Sequence, residues 1–173
     1  MEFITPLSFR FSQDEEGQWK TSLRSKADTE RLGRAIGQVL RGGEVIALTG
    51  ELGSGKTCMV RGIAQGVGLS PEKVSSPTFT IIQEYDSHPS IVHVDLYRLE
   101  NPSEIEDIGL SSYFDTNHVV IIEWADRAEI IQLPNDRLIL ELSHAGRHYR
   151  QIRLRSSGIK SQALLEALFH QEN

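Results

Sequence analysis

Apolar residues fall along this chain in three patterns, and each pattern predicts a different element. Near the amino end Leu7, Phe9 and Phe11 alternate with polar residues, Asp14-Glu15-Glu16-Gly17 has the composition of a turn, and Trp19, Thr21 and Leu23 alternate again. A period of two on both sides of a turn predicts a hairpin of half-buried strands, although a loose leader followed by one strand fits as well. From Leu32 the period changes. Leu32, Ala35, Ile36, Val39 and Leu40 make one stripe at helical spacing. Ser25-Lys26-Ala27-Asp28 in front of it has the Ser-to-acid spacing of a capping box, and Gly42-Gly43 ends it. The third pattern is the unbroken run. Val45-Ile46-Ala47-Leu48 and Val119-Val120-Ile121-Ile122 carry no polar face, as a strand covered on both sides requires. Helical spacing follows the first run, in Cys58-Met59-Val60, Ile63-Ala64 and Val67.

Between these landmarks, Gly66-Val67-Gly68-Leu69-Ser70-Pro71 stops the second helix, and Ser75-Ser76-Pro77-Thr78-Phe79-Thr80 reads as a loop because Pro77 keeps the residue before it extended. Residues 80–85 and 91–95 read as strands around a polar turn. In the second, His93, Asp95 and Tyr97 share one face while Val94 and Leu96 turn toward the core. Asn101-Pro102 opens a short helix whose acids Glu104, Glu106 and Asp107 suit its dipole. Residues 137–142 and 149–154 predict two more strands around Ser143-His144-Ala145-Gly146-Arg147, and residues 160–169 a closing helix.

Composition narrows the class. A chain of 173 residues buries roughly 70% of its unfolded surface, so 39% apolar content is enough for one core. No apolar run approaches the roughly 20 residues of a membrane span, and Met1-Glu2-Phe3-Ile4-Thr5-Pro6 lacks the basic start of a secretory signal. The single cysteine, Cys58, excludes an internal disulfide framework and suits a reducing cytoplasm. A net charge of −6 argues against the chain gripping nucleic acid by itself. The basic cluster Arg147, His148, Arg150, Arg153 and Arg155 reads as a solvated hairpin in an acidic chain.

The chemistry sits between the first unbroken run and its helix. Gly50-Glu51-Leu52-Gly53-Ser54-Gly55-Lys56-Thr57 fills every fixed position of G-x-x-x-x-G-K-[ST]. Glycines let backbone N–H groups approach a phosphate, and the helix start adds its dipole. In such a loop Lys56 reaches the β- and γ-phosphates and the Thr57 hydroxyl holds Mg²⁺. The second unbroken run closes on Glu123-Trp124, the pattern of the strand whose terminal acid meets that metal, with Glu where Asp is more usual. Asp95, at a strand's carboxyl end, is placed to face a nucleotide, although a strand end running into solvent fits as well. The loop at 75–80 lies where nucleotide switches put a threonine, although such a loop is more often plain connection. The fold predicted is α/β: a P-loop NTPase-type sheet, mostly parallel with antiparallel additions, flanked by helices. Residues 25–173 form its single domain and residues 1–24 an amino-terminal extension or hairpin.

The Gly50–Thr57 loop, Ser76-Pro77-Thr78-Phe79, His93-Val94-Asp95-Leu96-Tyr97-Arg98 and Glu123-Trp124, in that order, resemble the TsaE family, bacterial ATPases of tRNA threonylcarbamoyladenosine biosynthesis. The resemblance covers about residues 25–154, and the first twenty or so residues exceed what most relatives carry. It implies binding and hydrolysis of ATP with Mg²⁺, with a loop formed by Glu51, Leu52, Gly53, Ser54, Gly55, Lys56, Thr57 and Cys58. It implies that Lys56 binds phosphate, that Thr57 and Glu123 hold the metal, and that Asp95 lies near the γ-phosphate and is needed for activity. Trp124, Arg147 and the helix start around Ser25 and Thr29 would lie around the nucleotide or a partner surface. The implied partners are transferase proteins of TsaB and TsaD type, which modify adenosine 37 of tRNAs reading codons that start with A. The implied contact with tRNA is indirect, and no membrane is involved.

Three other readings stand beside this one. A small-molecule kinase shares the loop and the length, but the acid pair expected after the first helix is missing from residues 75–80. A GTPase-like switch needs an Asn-Lys-x-Asp segment, which the chain does not contain. A non-catalytic nucleotide-binding adaptor differs only in turnover.

Overall fold

In the computed structural model, which describes residues 2–4, 9–128 and 133–170, nine strands form one sheet in the order β1-β2-β3-β9-β8-β4-β7-β6-β5. The strands are β1 (Glu2–Ile4), β2 (Arg10–Gln13), β3 (Trp19–Leu23), β4 (Val45–Thr49), β5 (Ile82–Tyr85), β6 (Ser90–Asp95), β7 (His118–Glu123), β8 (Leu138–His144) and β9 (Arg150–Ser156). The helices are α1 (Lys26–Val39), α2 (Lys56–Gly66), α3 (Pro102–Asp107) and α4 (Ile159–Phe169). The centre, β6-β7-β4-β8, is parallel; β5 and the β9-β3-β2-β1 wing attach antiparallel. The expected α/β sheet with parallel and antiparallel strands is what the chain forms.

The sequence patterns map onto the layers. One face of the sheet packs Ile46, Leu48, Ile121, Leu140, Ile152 and Leu154 against α1, α2 and α4. The other face packs Val45, Ala47, Val92, Val94, Val120 and Ile122 against the segment containing Leu96, Leu99, Ile105 and Leu110. Among the strands whose burial is described, β4, β6 and β7 are the ones buried on both faces, which is why two of them read as unbroken runs. In β8 and β9 burial alternates instead, as in a sheet with one wet face. The hairpin of β2 and β3 lies on the same sheet through β3–β9 pairing, with Phe11 and Trp19 against Phe169 of α4. Leu7 falls outside the described residues.

Ser25 caps α1, its Oγ accepting from the Asp28 N–H at 3.1 Å. The Asp28 carboxylate reaches one residue further back than a capping box requires and accepts from Arg24 N–H. The crossing of α1 and α2 has no counterpart in the stripe pattern, because it is made of glycine. A Cβ on Gly37 would stand 2.1 Å from the Ile63 carbonyl oxygen, and one on Gly33 2.5 Å from that of Met59. From the other side, a Cβ on Gly62 would meet the Glu30 carbonyl at 2.3 Å and one on Gly66 that of Arg34 at 2.3 Å. The two helices therefore touch backbone to backbone, and the amino end of α2, which carries the phosphate loop, is fixed against α1.

Candidate nucleotide site

The loop between β4 and α2 turns sharply because its glycines take left-handed backbone angles. Gly50, at φ 135°, passes so close to β8 that a Cβ would sit 2.1 Å from the Leu142 carbonyl oxygen. Gly55, at φ 107°, is the cap of α2. The first backbone bond of the helix runs from Met59 N–H to Gly55 O, so the amides of Lys56, Thr57 and Cys58 point out of the helix end, donors suited to a phosphate. The Lys56 ammonium is buried and donates to the carbonyls of Gly50 (2.6 Å) and Glu51 (2.9 Å). It also lies 3.8 Å from the centre of the Trp124 ring. Burial lowers its pKa, against the opposing pull of Glu123, Asp126 and Asp95.

Two acids converge on this lysine from neighbouring parallel strands. Asp95 of β6 and Glu123 of β7 are register partners, each closing its strand and each buried. Like charges side by side in the interior need donors of their own. Glu123 accepts from Thr57 Oγ1, 2.9 Å from both carboxylate oxygens, and lies 2.8 Å from His93 Nε2. Asp95 Oδ2 accepts from Ser76 Oγ and from Thr78 Oγ1 (2.9 Å), and Oδ1 from Tyr97 N–H (2.9 Å). The loop at 75–80, whose composition alone reads more often as plain connection, is thus tied to the acid. Its far end is held by Ile81 at φ 68°, whose carbonyl accepts from Asp95 N–H at 2.9 Å. Beside these ties Phe79 is 86% exposed, with the Arg98 guanidinium 5.3 Å from its ring centre.

Glu51 to Cys58, Asp95, Glu123 and Trp124 come together at one end of the parallel strands, with Leu52 exposed at the tip of the loop. β6 ends at Asp95, so Tyr97 lies beyond the strand instead of sharing its face; its ring sits 5.1 Å from that of Trp124, tilted by 44°, and Trp124 has φ 58°. Arg147 lies on the other side of the loop, in a groove of about 640 Å³ between Lys26 and Thr29 of α1, Gly53 to Gly55, and the β8–β9 turn. Arg150 is the residue that sequence reasoning missed. Its guanidinium donates to Ser54 O (3.1 Å) and Gly53 O (3.2 Å), bracing the loop from β9. Only its membership of the basic cluster marked it, and that cluster reads as solvated. Arg127 donates to the carbonyls of Tyr97 and Leu99.

The donor set suits a metal shared with phosphate. Among the described residues no cluster of three or more His, Cys, Asp or Glu could cage an ion. A hydroxyl at Thr57 and a carboxylate at Glu123 are oxygen ligands of the kind Mg²⁺ takes when phosphate and water complete its shell.

Comparison with known proteins decides the family. The family described as "Threonylcarbamoyl adenosine biosynthesis protein TsaE" matches residues 23–152. This chain belongs to the TsaE family. A Bacillus subtilis (strain 168) protein named tRNA threonylcarbamoyladenosine biosynthesis protein TsaE is 37% identical over 157 residues, 90% of this chain and 96% of that one. The TsaE of Aquifex aeolicus is 36% identical over 134 residues, 76% of this chain and 92% of its own. A crystal structure of Bacillus subtilis YdiB superposes with a TM-score of 0.73 at 32% identity, covering 87% of this chain and 93% of that one. The fold and the TsaE membership place the chain in threonylcarbamoyladenosine biosynthesis and imply nucleotide binding. The TsaE match begins at Leu23, so the hairpin of β2 and most of β3 lies in front of it. Among the described residues no helix is long and apolar enough to cross a membrane.

Proposed function

We propose that this TsaE-family chain is a Mg²⁺-dependent ATPase that supports threonylcarbamoylation of adenosine 37 in tRNAs reading codons that start with A. It does not form the new bond; it acts in the cytoplasm with transferase proteins of TsaB and TsaD type, and meets tRNA through them. The observation that carries the reading is the convergence of Lys56, Thr57, Glu123 and Asp95 at one loop. In it the amides at the start of α2 and the Lys56 ammonium bind the phosphates, and Thr57 and Glu123 hold the metal. When bound, Mg²⁺ would supply charge neutralisation at the phosphates. Asp95 accepts from three donors in the free chain, and its oxygens are the acceptors best placed to orient an attacking water. The groove beside Thr29 and Arg147 takes the nucleoside.

Turnover alone is expected to be slow. An arginine at the developing charge is worth roughly 10³–10⁵ in rate in this class of site. Of the candidates Arg98, Arg127 and Arg147, Arg127 is engaged by two backbone carbonyls and Arg98 lies over Phe79, and no motif assigns any of the three to that task. The experiment is ATP hydrolysis by the purified chain with and without the transferase proteins and tRNA, alongside formation of the modified base. Stimulation by the partners is expected; an unchanged rate in their presence would sink the proposal. Asp95→Ala and Glu123→Ala should abolish hydrolysis, while Lys56→Ala should chiefly weaken nucleotide binding; near-normal hydrolysis by the Asp95 variant would return that residue to a strand-end role.

A further inference from the structure

His93 is fully buried within β6, two register pairs back from the site: its partner across the sheet is Ile121, while Asp95 pairs with Glu123. Its Nε2 nevertheless meets Glu123 Oε1 at 2.8 Å. The glutamate must therefore lean back along the neighbouring strand to reach it. An aspartate, one methylene shorter, would not span both His93 and Thr57 from the same backbone position. The bond has a direction. Assigning the Nε2 proton to the bond with the carboxylate makes Nδ1, in the neutral ring, the acceptor nitrogen. Nδ1 is buried without a hydrogen-bond partner. An orphaned buried acceptor costs free energy, and an apolar side chain of the same size would avoid that cost. Packing alone therefore does not account for a histidine here.

We infer that His93 is a positioning residue: its Nε2–H holds the Glu123 carboxylate in the orientation in which it faces Thr57 and receives the metal. The glutamate has one more torsion than the aspartate usual at this place, and His93 removes that freedom while Thr57 supplies the second tether. Partners of this kind behind a metal-holding side chain affect metal affinity by about 10–100-fold. The inference rests on the reading of Thr57 and Glu123 as the Mg²⁺ holders.

The test is the affinity of the full chain for ADP by calorimetry, in Mg²⁺ and in EDTA, with Mg²⁺ titrated at saturating ADP. His93→Leu, which fills the space but cannot donate, is expected to weaken Mg²⁺ binding about tenfold and to leave ADP affinity in EDTA unchanged. His93→Gln, which keeps an N–H at similar reach, should recover most of that loss. In a Glu123→Gln background His93→Leu should cause no further loss, because its effect passes through the carboxylate. Wild-type Mg²⁺ affinity in His93→Leu, equal losses in Mg²⁺ and EDTA, or a loss that persists in the Glu123→Gln background each overturn the inference. Should the leucine variant not fold, His93→Met carries the same expectation. A wild-type chain that binds ADP no better in Mg²⁺ than in EDTA would instead overturn the assignment of Thr57 and Glu123, and the two failures are told apart by that control.

Discussion

Gly37→Ala sets two physical effects against each other with opposite signs. By helix propensity alone alanine is worth about 1 kcal/mol over glycine inside a helix, so the variant should gain stability. The crossing predicts the reverse. The new methyl carbon would start 2.1 Å from the Ile63 carbonyl oxygen and close to the Gly66 Cα (2.8 Å), where ordinary contact begins near 3.4 Å. Backbone atoms cannot rotate out of the way, so α1 and α2 must part by on the order of 1 Å along a seam that also holds Gly33 and Gly62. Overpacking of this kind costs about 1–3 kcal/mol, and a rigid obstacle puts it at the upper end. Net of propensity the variant should lose about 2 kcal/mol. For a chain of this length that lowers Tm by roughly 4–8 °C, whereas propensity alone raises it by roughly 2–4 °C. Scanning calorimetry on the nucleotide-free chain reads the sign directly. A Tm equal to or above the wild type would refute the backbone-to-backbone crossing.

Arg150→Ala releases the carbonyls of Gly53 and Ser54 from their brace and should weaken ADP binding about tenfold, the worth of roughly 1.5 kcal/mol of charge-assisted bonding; unchanged affinity in a fluorescence titration would show the brace to be idle. Ser25→Ala deletes the cap of α1 and should cost about 1 kcal/mol in urea unfolding, with loss of the midpoint and no change of slope. Burial pushes the Cys58 thiol up to about 11, with Glu30 adding to the shift. Iodoacetamide should therefore modify it slowly at pH 8 and about tenfold faster per pH unit up to pH 10, and a rate already level by pH 9 would contradict the burial. The sign for stability follows. The folded thiol keeps a proton that the unfolded chain releases above about pH 9, so this group's contribution falls as pH rises from there toward 11.

How much of this was legible in the sequence depends on the range of the interaction. The capped helix at Ser25, the unbroken runs of β4 and β7 and the loop from Gly50 to Thr57 are each written within a few residues, and each stands where its pattern put it. What linked them was not written. Nothing local says that β6 lies beside β7, and without that order His93 has no visible partner in Glu123, 30 residues away. Arg150 belongs to a basic cluster, but its reach to Gly53 crosses 97 residues. Gly33-x-x-x-Gly37 and Gly62-x-x-x-Gly66 did carry a signal, the four-residue spacing of small residues. Taken singly, however, glycines read as helix weakeners or stops, and Gly66 was grouped with a stop. The strand after Pro77 begins at Ile82 and not at Thr80, because Ile81 takes a left-handed angle that β-branched residues seldom adopt.

That isoleucine gives the two sides of the site unequal stiffness. A branched residue held at positive φ costs about 1–3 kcal/mol, sustained here by the neighbouring Asp95 N–H and by the hydroxyl ties of Ser76 and Thr78. The loop from 76 to 81 is in effect a loaded spring latched by one carboxylate, while the glycine seam behind Lys56 has no slack to give. Amide exchange should accordingly be fast in the first and slow in the second. Such a site can unlatch the segment bearing Phe79 while its hold on the phosphates stays put.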